Sequence, residues 1–165
     1  MSPPTVKTDN DNDNDNDKPL ISPLIISPES IAKQEPESFP EVDLDLEVEP
    51  SLGLGVDGGR GQVTWKTLIS APQTRTDSLT AGIATCPPRT GHLCPHRHRQ
   101  AEIYHVTQGH GVVEIDGVES AVQAGTVVYI PGNAKHGIRN TDPERELTWF
   151  YVFAADGFGE IQYRF

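Results

Sequence analysis

Residues 96–109, HRHRQAEIYHVTQG, decide the fold together with residues 125–140, GTVVYIPGNAKHGIRN. The first stretch places His96 and His98 two residues apart, and alternate side chains of an extended chain point to the same face. Glu102 follows after three intervening residues, and the second stretch adds His136. Imidazole and carboxylate groups bind divalent iron, manganese, nickel, copper or zinc. The sequence therefore predicts one metal site formed by these four side chains.

Around these motifs the chain carries short β-branched and aromatic runs that are separated by turn residues. The predicted strands are 62–69, 79–85, 101–107, 111–115, 118–122, 126–130, 136–139 and 147–153. Asp116-Gly117 is a typical two-residue hairpin turn between two of them. No helical period of useful length interrupts the series. Eight short strands in roughly 105 residues predict an all-β sandwich or barrel.

The acidity of the chain is concentrated in its first third. The 165 residues have a net charge of −11, and residues 1–55 hold 13 acidic and 3 basic side chains. Residues 9–17 alternate Asp and Asn, a composition that cannot bury apolar surface. We therefore predict a disordered acidic segment over 1–57 and a β-barrel domain over 58–165. The apolar residues of 20–26, interrupted by a proline, are either disordered or an arm that pairs with a neighbouring subunit.

Charge and hydropathy also exclude several partners. The chain lacks a Lys/Arg cluster that would attract nucleic acid or an anionic membrane. It lacks the roughly 20 consecutive apolar residues of a membrane span. Its start has no basic and apolar leader, and two cysteines make no disulfide framework. These features predict a cytoplasmic protein that acts on a small molecule.

The two motifs resemble those of the cupin superfamily. Residues that match the family's spacing are His96, His98, Glu102 and Gly109 in the first motif, and Gly125, Pro131, His136 and Asn140 in the second. Asn133 stands where the second motif has a glycine, which we expect to be tolerated because asparagine also adopts left-handed backbone angles. The resemblance implies a double-sheet jelly roll. It also implies one divalent metal, with Fe(II) favoured over Mn, Ni, Zn or Cu, and a homodimer.

A second resemblance concerns function. Residues 76–111 and 147–165 are similar to small stand-alone cupins of fungal polyketide gene clusters, including clusters for salicylaldehyde-type products, which are described as oxidoreductases. The resemblance implies a metal-dependent oxidoreductase of secondary metabolism whose substrate is aromatic or polyketide-derived. The sequence offers no nicotinamide or flavin fingerprint, so oxidation would depend on the metal, dioxygen or a co-substrate.

Tyr104 opens an alternative, because it shares the face of Glu102 on a strand. The same E-x-Y arrangement occurs in cupin lyases that eliminate dimethyl sulfide from dimethylsulfoniopropionate, where the tyrosine is the proposed base. A redox-neutral lyase or isomerase is therefore the second interpretation, and a non-enzymatic binding or storage cupin is the third. Tyr151 is the other predicted catalytic residue. Trp149 and Tyr129 are further candidates for a substrate pocket, with plain core packing as the alternative for each aromatic side chain.

Overall fold

A computed structural model describes residues 21–40 and 60–165 of the chain. Within these ranges the structure is almost entirely β. Its elements are α1 (Pro28–Lys33), β1 (Glu37–Ser38), β2 (Thr64–Ile69), β3 (Thr80–Cys86), β4 (His92–His96), β5 (Glu102–Gln108), β6 (His110–Ile115), β7 (Val118–Gln123), β8 (Val127–Ile130), β9 (His136–Asn140), β10 (Leu147–Phe153) and a 3-10 helix (Phe158–Glu160). None of the helices in these ranges has the length and apolar character to cross a bilayer.

The strands form two antiparallel sheets. One has six strands in the order β1-β2-β3-β10-β5-β8, and the other has four in the order β4-β9-β6-β7. Side chains alternate between buried and half-buried along β10, as expected for a sheet with one face on a core. Buried residues of both sheets meet in one hydrophobic cluster between them. The predicted all-β jelly roll is therefore confirmed.

Two turns follow the chemistry expected from the sequence. Asp116 and Gly117 connect β6 to β7 with φ angles of 48° and 82°, the positive values that a tight hairpin turn requires. Asn133 has a φ of 66°. This residue therefore adopts the left-handed conformation for which the cupin motif otherwise uses glycine, as predicted.

The last strand turns Trp149, Tyr151 and Phe153 toward the core, where each is at most 4% exposed. The sequence pattern alone left open which face of this strand lies inside. Tyr129 was also a candidate for the pocket, and that expectation is wrong. Its side chain is 64% exposed on the outer face of β8, because the pairing of Glu102 with Ile130 places the residue before Ile130 outside.

Part of the segment that we expected to be disordered carries ordered elements in this structure. Helix α1 begins with a proline at its first turn, and the Oγ of Ser27 accepts a hydrogen bond from the backbone N–H of Ser30 at 3.2 Å. Strand β1 pairs with β2 and extends the larger sheet. The Asp-Asn run at 9–17 lies outside the described residues, and the domain boundary at 57/58 stays a prediction.

Candidate metal centre

The four predicted ligands converge between the sheets. His96 ends β4 and pairs with His136, the first residue of β9. His98 lies two residues beyond the end of β4, so the loop that follows the strand holds it. Glu102 begins β5. All four side chains are buried, with residue exposures of 0–3%. Buried imidazole and carboxylate groups require partners, since leaving them unpaired in a core is costly.

Backbone carbonyl groups fix the orientation of all three imidazoles. The Nδ1 atoms of His96, His98 and His136 lie 2.9 Å from the carbonyl oxygens of Cys94, Gln100 and Ala134, respectively. A carbonyl only accepts, so each Nδ1 carries the hydrogen and each Nε2 presents its lone pair to the centre. Metal-binding histidines commonly donate their other ring N–H to a backbone carbonyl in this way, which fixes the tautomer and the orientation of the ring.

The inward-facing atoms are arranged for a cation. Oε2 of Glu102 lies 3.3 Å from Nε2 of His98 and 3.2 Å from Nε2 of His136. Nε2 of His96 is buried and has no hydrogen-bond partner, and the three Nε2 atoms lie within 4.8 Å of one another. Lone pairs that face each other at such distances repel unless a positive charge lies among them. Two ligands about 2.1 Å from one ion and at right angles are about 3 Å apart, which matches the observed spacing.

The electrostatic state of His96 agrees with a ligand role. Burial and the neighbouring His136 lower the pKa of His96 to about 3, so its imidazole is neutral over the physiological pH range. Three imidazole nitrogens and one carboxylate oxygen suit a divalent transition metal and leave room for further ligands around an octahedral ion. The residues present therefore fit a metal, and the donor types do not select one metal among iron, manganese, nickel, copper and zinc.

A small cavity of about 30 Å³, room for one or two water molecules, is lined by one of the four predicted ligands. Most of the side chains around it are aromatic. They are Phe39, Val63, Trp65, Ala84, Leu93, Glu102, Tyr104, Trp149, Tyr151, Phe158 and Tyr163. Both predicted catalytic tyrosines and one ligand, Glu102, thus face the same space. A wider groove on the outer surface, between Arg89 and Arg139, contains none of the four ligands.

Tyr104 and Tyr151 differ in the surroundings of their hydroxyl groups. The Tyr104 side chain is 1% exposed, and its hydroxyl is buried without a hydrogen-bond partner. Burial and the neighbouring Glu102 carboxylate raise the pKa of Tyr104 well above its usual range. The hydroxyl of Tyr151 lies 3.5 Å from Oγ1 of Thr67, and burial raises its pKa as well. The Tyr104 hydroxyl is therefore directed toward the Glu102 carboxylate, whereas the Tyr151 hydroxyl lies against Thr67.

The sequence analysis missed four aromatic residues at this site. Tyr163, near the end of the sequence, stacks on the imidazole of His96 with a ring-centroid distance of 4.5 Å. Phe39 and Trp65 line the cavity with their rings 4.9 Å apart, and Phe158 lies 6.0 Å from Trp65. Each comes from an end of the domain or a separate segment, so no local spacing connects them to the metal motifs. The only sequence signal for each of them was an aromatic residue with mostly polar neighbours in the chain.

Comparison with known proteins places the chain among cupins. A family model described as "Cupin domain" matches residues 82–153. Dimethylsulfoniopropionate lyase DddW of Ruegeria pomeroyi is 42% identical over 123 residues, which cover 74% of this chain and 78% of that protein. An oxalate-binding protein of Thermotoga maritima is 27% identical over 96 residues, covering 58% of this chain and 78% of that protein.

Solved structures agree with the fold. The cupin-2 domain protein Rru_A2000 of Rhodospirillum rubrum superimposes with a TM-score of 0.54 at 21% sequence identity, and the match covers 79% of each chain. At this identity the similarity concerns the barrel alone.

Proposed function

Because this chain belongs to the cupin family, we propose that it is a metal-dependent lyase that eliminates dimethyl sulfide from dimethylsulfoniopropionate. The observation that carries the proposal is the buried Tyr104 hydroxyl, which faces the same cavity as Glu102 and, among the described residues, has no hydrogen bond of standard geometry. The 42% identity to a lyase named for this substrate gives independent support. Among the three interpretations of the sequence, the redox-neutral lyase is therefore the one that the site favours most.

The ligands His96, His98, Glu102 and His136 would hold the metal, since their inward lone pairs lack any other positive partner. A divalent cation supplies Lewis acidity, which polarises an oxygen of a bound carboxylate and makes the neighbouring C–H bond more acidic. The chain contributes a rigid frame, because the three carbonyl–Nδ1 hydrogen bonds keep the imidazoles from rotating.

Tyr104 performs the proton transfer in this proposal. Its Oη, as phenolate, removes a proton from the carbon next to the substrate carboxylate. The electron pair of that C–H bond forms the carbon–carbon double bond, and the C–S bond breaks with its pair on sulfur. The products are acrylate and dimethyl sulfide, and the proton remains on Tyr104 until water takes it. Burial is the largest cause that raises the pKa of Tyr104, and a metal held beside Glu102 would offset the contribution of that carboxylate.

The aromatic wall excludes bulk water from this reaction. The rings of Trp149 and Tyr104 are tilted by 53° with their centroids 5.4 Å apart, and both side chains are 1% exposed. A dry site strengthens electrostatic interactions and slows the return of the proton from solvent. Tyr151 has a supporting role in the proposal, because its hydroxyl already contacts Thr67.

The experiment is a stoichiometric assay without oxygen. Protein loaded with Fe(II) and, separately, with Mn(II) or Zn(II) is mixed with dimethylsulfoniopropionate, and dimethyl sulfide and acrylate are both quantified. The proposal predicts equal amounts of the two products, unchanged turnover without oxygen, and loss of turnover in Tyr104→Phe. No product with any of the three metals would contradict it.

The oxidoreductase interpretation stays a prediction. An assay with a different substrate, run with and without oxygen, tests it. Turnover of an aromatic or polyketide-derived substrate that stops without oxygen would support it. None of the relatives named above is a fungal polyketide-cluster protein, so that resemblance has no support from them. A protein that binds metal and small molecules without turnover would favour the binding or storage interpretation. The homodimer and the cytoplasmic location also stay predictions.

A further inference from the structure

Phe39 reaches the metal-site cavity from a segment outside the barrel. Strand β1 places Glu37 opposite Trp65 and Ser38 opposite Thr64, so Phe39 follows immediately at the mouth of the cavity. The pairing is only two residues long. Side-chain contacts support it: the Glu37 carboxylate accepts a hydrogen bond from the backbone N–H of Thr67 at 3.0 Å.

The preceding helix is fastened to the same strand. The Gln34 side-chain amide donates to the carbonyl of Thr67 at 2.8 Å, and Nζ of Lys66 donates to the carbonyl of Ile31 at 2.9 Å. One of these hydrogen bonds goes to a backbone carbonyl of β2 and the other comes from a side chain of β2, so together they hold the helix against this strand. The hydrogen bonds of the segment therefore fix the position of Phe39, and the Phe39 ring contacts the aromatic rings around it.

Aromatic rings surround Phe39 in edge-to-face geometry. Its ring centroid lies 4.9 Å from Trp65, 5.9 Å from Tyr163 and 5.6 Å from Phe165, with interplanar angles of 61°, 75° and 82°. Trp65 and Tyr163 also line the cavity. The outer end of the cavity is therefore a wall of π faces and ring edges contributed by three separate parts of the chain.

The charge of the cavity points to one class of ligand. Of the described side chains that line it, Glu102 alone is ionisable to a full charge near neutral pH, and no lysine or arginine is among them. Aromatic faces attract cations, most strongly when water is excluded. An anionic group is suited only to the metal end, and a compact cation is suited to the aromatic end. A zwitterion with a carboxylate and a methylated onium group satisfies both.

We propose that Phe39 is a specificity-determining residue: with Trp65 and Tyr163 it forms an aromatic wall that selects a compact methylated sulfonium or ammonium group. This inference rests on the proposed function, whose substrate carries such a group. The cavity that these rings line is small, about 30 Å³. Binding of a substrate therefore requires side chains around it to move apart.

The test compares two ligands of equal shape. In 3-(trimethylammonio)propanoate and 4,4-dimethylpentanoate a quaternary nitrogen and a quaternary carbon carry the same three methyl groups, so the two differ only in charge. Binding of each to the full-length, metal-loaded protein is measured by calorimetry. A cation–π contact corresponds to about 2-fold to 30-fold in affinity. We expect the wild type to prefer the ammonium compound by at least 10-fold.

Matched variants separate the effect of the aromatic ring on binding from the effect of side-chain volume. Phe39→Leu keeps an apolar side chain but removes the π face, and we expect the preference to fall at least 3-fold. Phe39→Tyr keeps the ring and should keep the preference. Tyr129→Leu removes an exposed aromatic residue on the outer face and should leave it unchanged. Melting temperatures of all variants verify that each one is folded before binding is compared.

The outcomes of this test and of the lyase assay are independent. Equal binding of the two ligands by the wild type, or an undiminished preference in Phe39→Leu, would overturn the role of Phe39 even if the protein cleaves dimethylsulfoniopropionate. A preference that depends on the Phe39 ring, in a protein without lyase activity, would keep the cation wall and overturn the proposed reaction.

Discussion

Replacing Tyr104 by phenylalanine removes one oxygen atom from the cavity and leaves the ring in place. The hydroxyl is buried, and within residues 21–40 and 60–165 no group makes a hydrogen bond of standard geometry with it. A buried polar group without a partner costs about 1–3 kcal/mol of stability. We therefore expect Tyr104→Phe to unfold with a free energy at least as large as that of the wild type, and about 1 kcal/mol larger if the ring does not shift. For a domain of this size that gain raises the melting temperature by roughly 4 °C.

Activity should change in the opposite direction. Loss of a positioned general base lowers the rate by about 10²-fold to 10⁴-fold. The assay measures kcat for dimethyl sulfide release together with the melting temperature and the metal content of the same preparations. Tyr129→Phe is the control, because it makes the same chemical change on the exposed outer face.

The kcat, the melting temperature and the metal content together test the role of Tyr104. A variant that is stable, holds its metal and has lost its turnover supports Tyr104 as the base. A loss of less than 10-fold would refute that role. A melting temperature several degrees below that of the wild type would show that the hydroxyl has a structural partner, and the argument from an orphaned group would be wrong.

Three further predictions concern the frame around the site. Burial raises the pKa of the Cys86 thiol to about 12, so iodoacetamide at pH 8 should leave Cys86 unmodified in native protein and alkylate it in urea, as mass spectrometry would record. Asn140→Ala should destabilise the protein by roughly 3 kcal/mol in urea unfolding, because the two N–H groups of its side-chain amide are shared among three backbone carbonyl oxygens at 2.8–3.2 Å. Backbone N–H groups of Glu144 and Arg145 donate hydrogen bonds to Asp142 and lower its pKa, and the bond from Glu144 has the larger effect. The Asp142 carboxylate therefore stabilises the fold above about pH 4. This stabilisation is lost as the pH falls through the folded-state pKa of Asp142. Asp142→Asn should therefore be less stable than the wild type at pH 7, and the difference should vanish at pH 2.

The convergence of His96, His98, Glu102 and His136 was predictable because the information that places them is local. Two histidines with one residue between them on an extended chain share a face. Glu102 and the second motif follow them at the spacings that the cupin motifs have. The hairpin at Asp116-Gly117 was predictable for the same reason, since its turn chemistry is contained in two residues.

The elements that were missed depend on contacts between distant parts of the chain. Strand β4, with the sequence HLCPH, contains a proline and shows no alternation of apolar and polar residues. It is a strand because it pairs with β9 at the edge of the four-stranded sheet, where proline is tolerated. Phe39 and Tyr163 lie more than 120 residues apart in sequence, and only the closed barrel brings their rings to 5.9 Å. No spacing rule connects such residues.

The measurement that tests the central claim most directly is the metal content of full-length protein purified without added metal. We predict close to one divalent transition-metal ion per chain in the wild type and in His105→Ala, whose side chain lies on the exposed face of β5. His136→Ala should lose the ion, because the variant removes a buried ligand beside Glu102. Wild-type protein that contains no metal, and whose melting temperature does not change when Fe(II), Mn(II) or Zn(II) is supplied, would contradict the account.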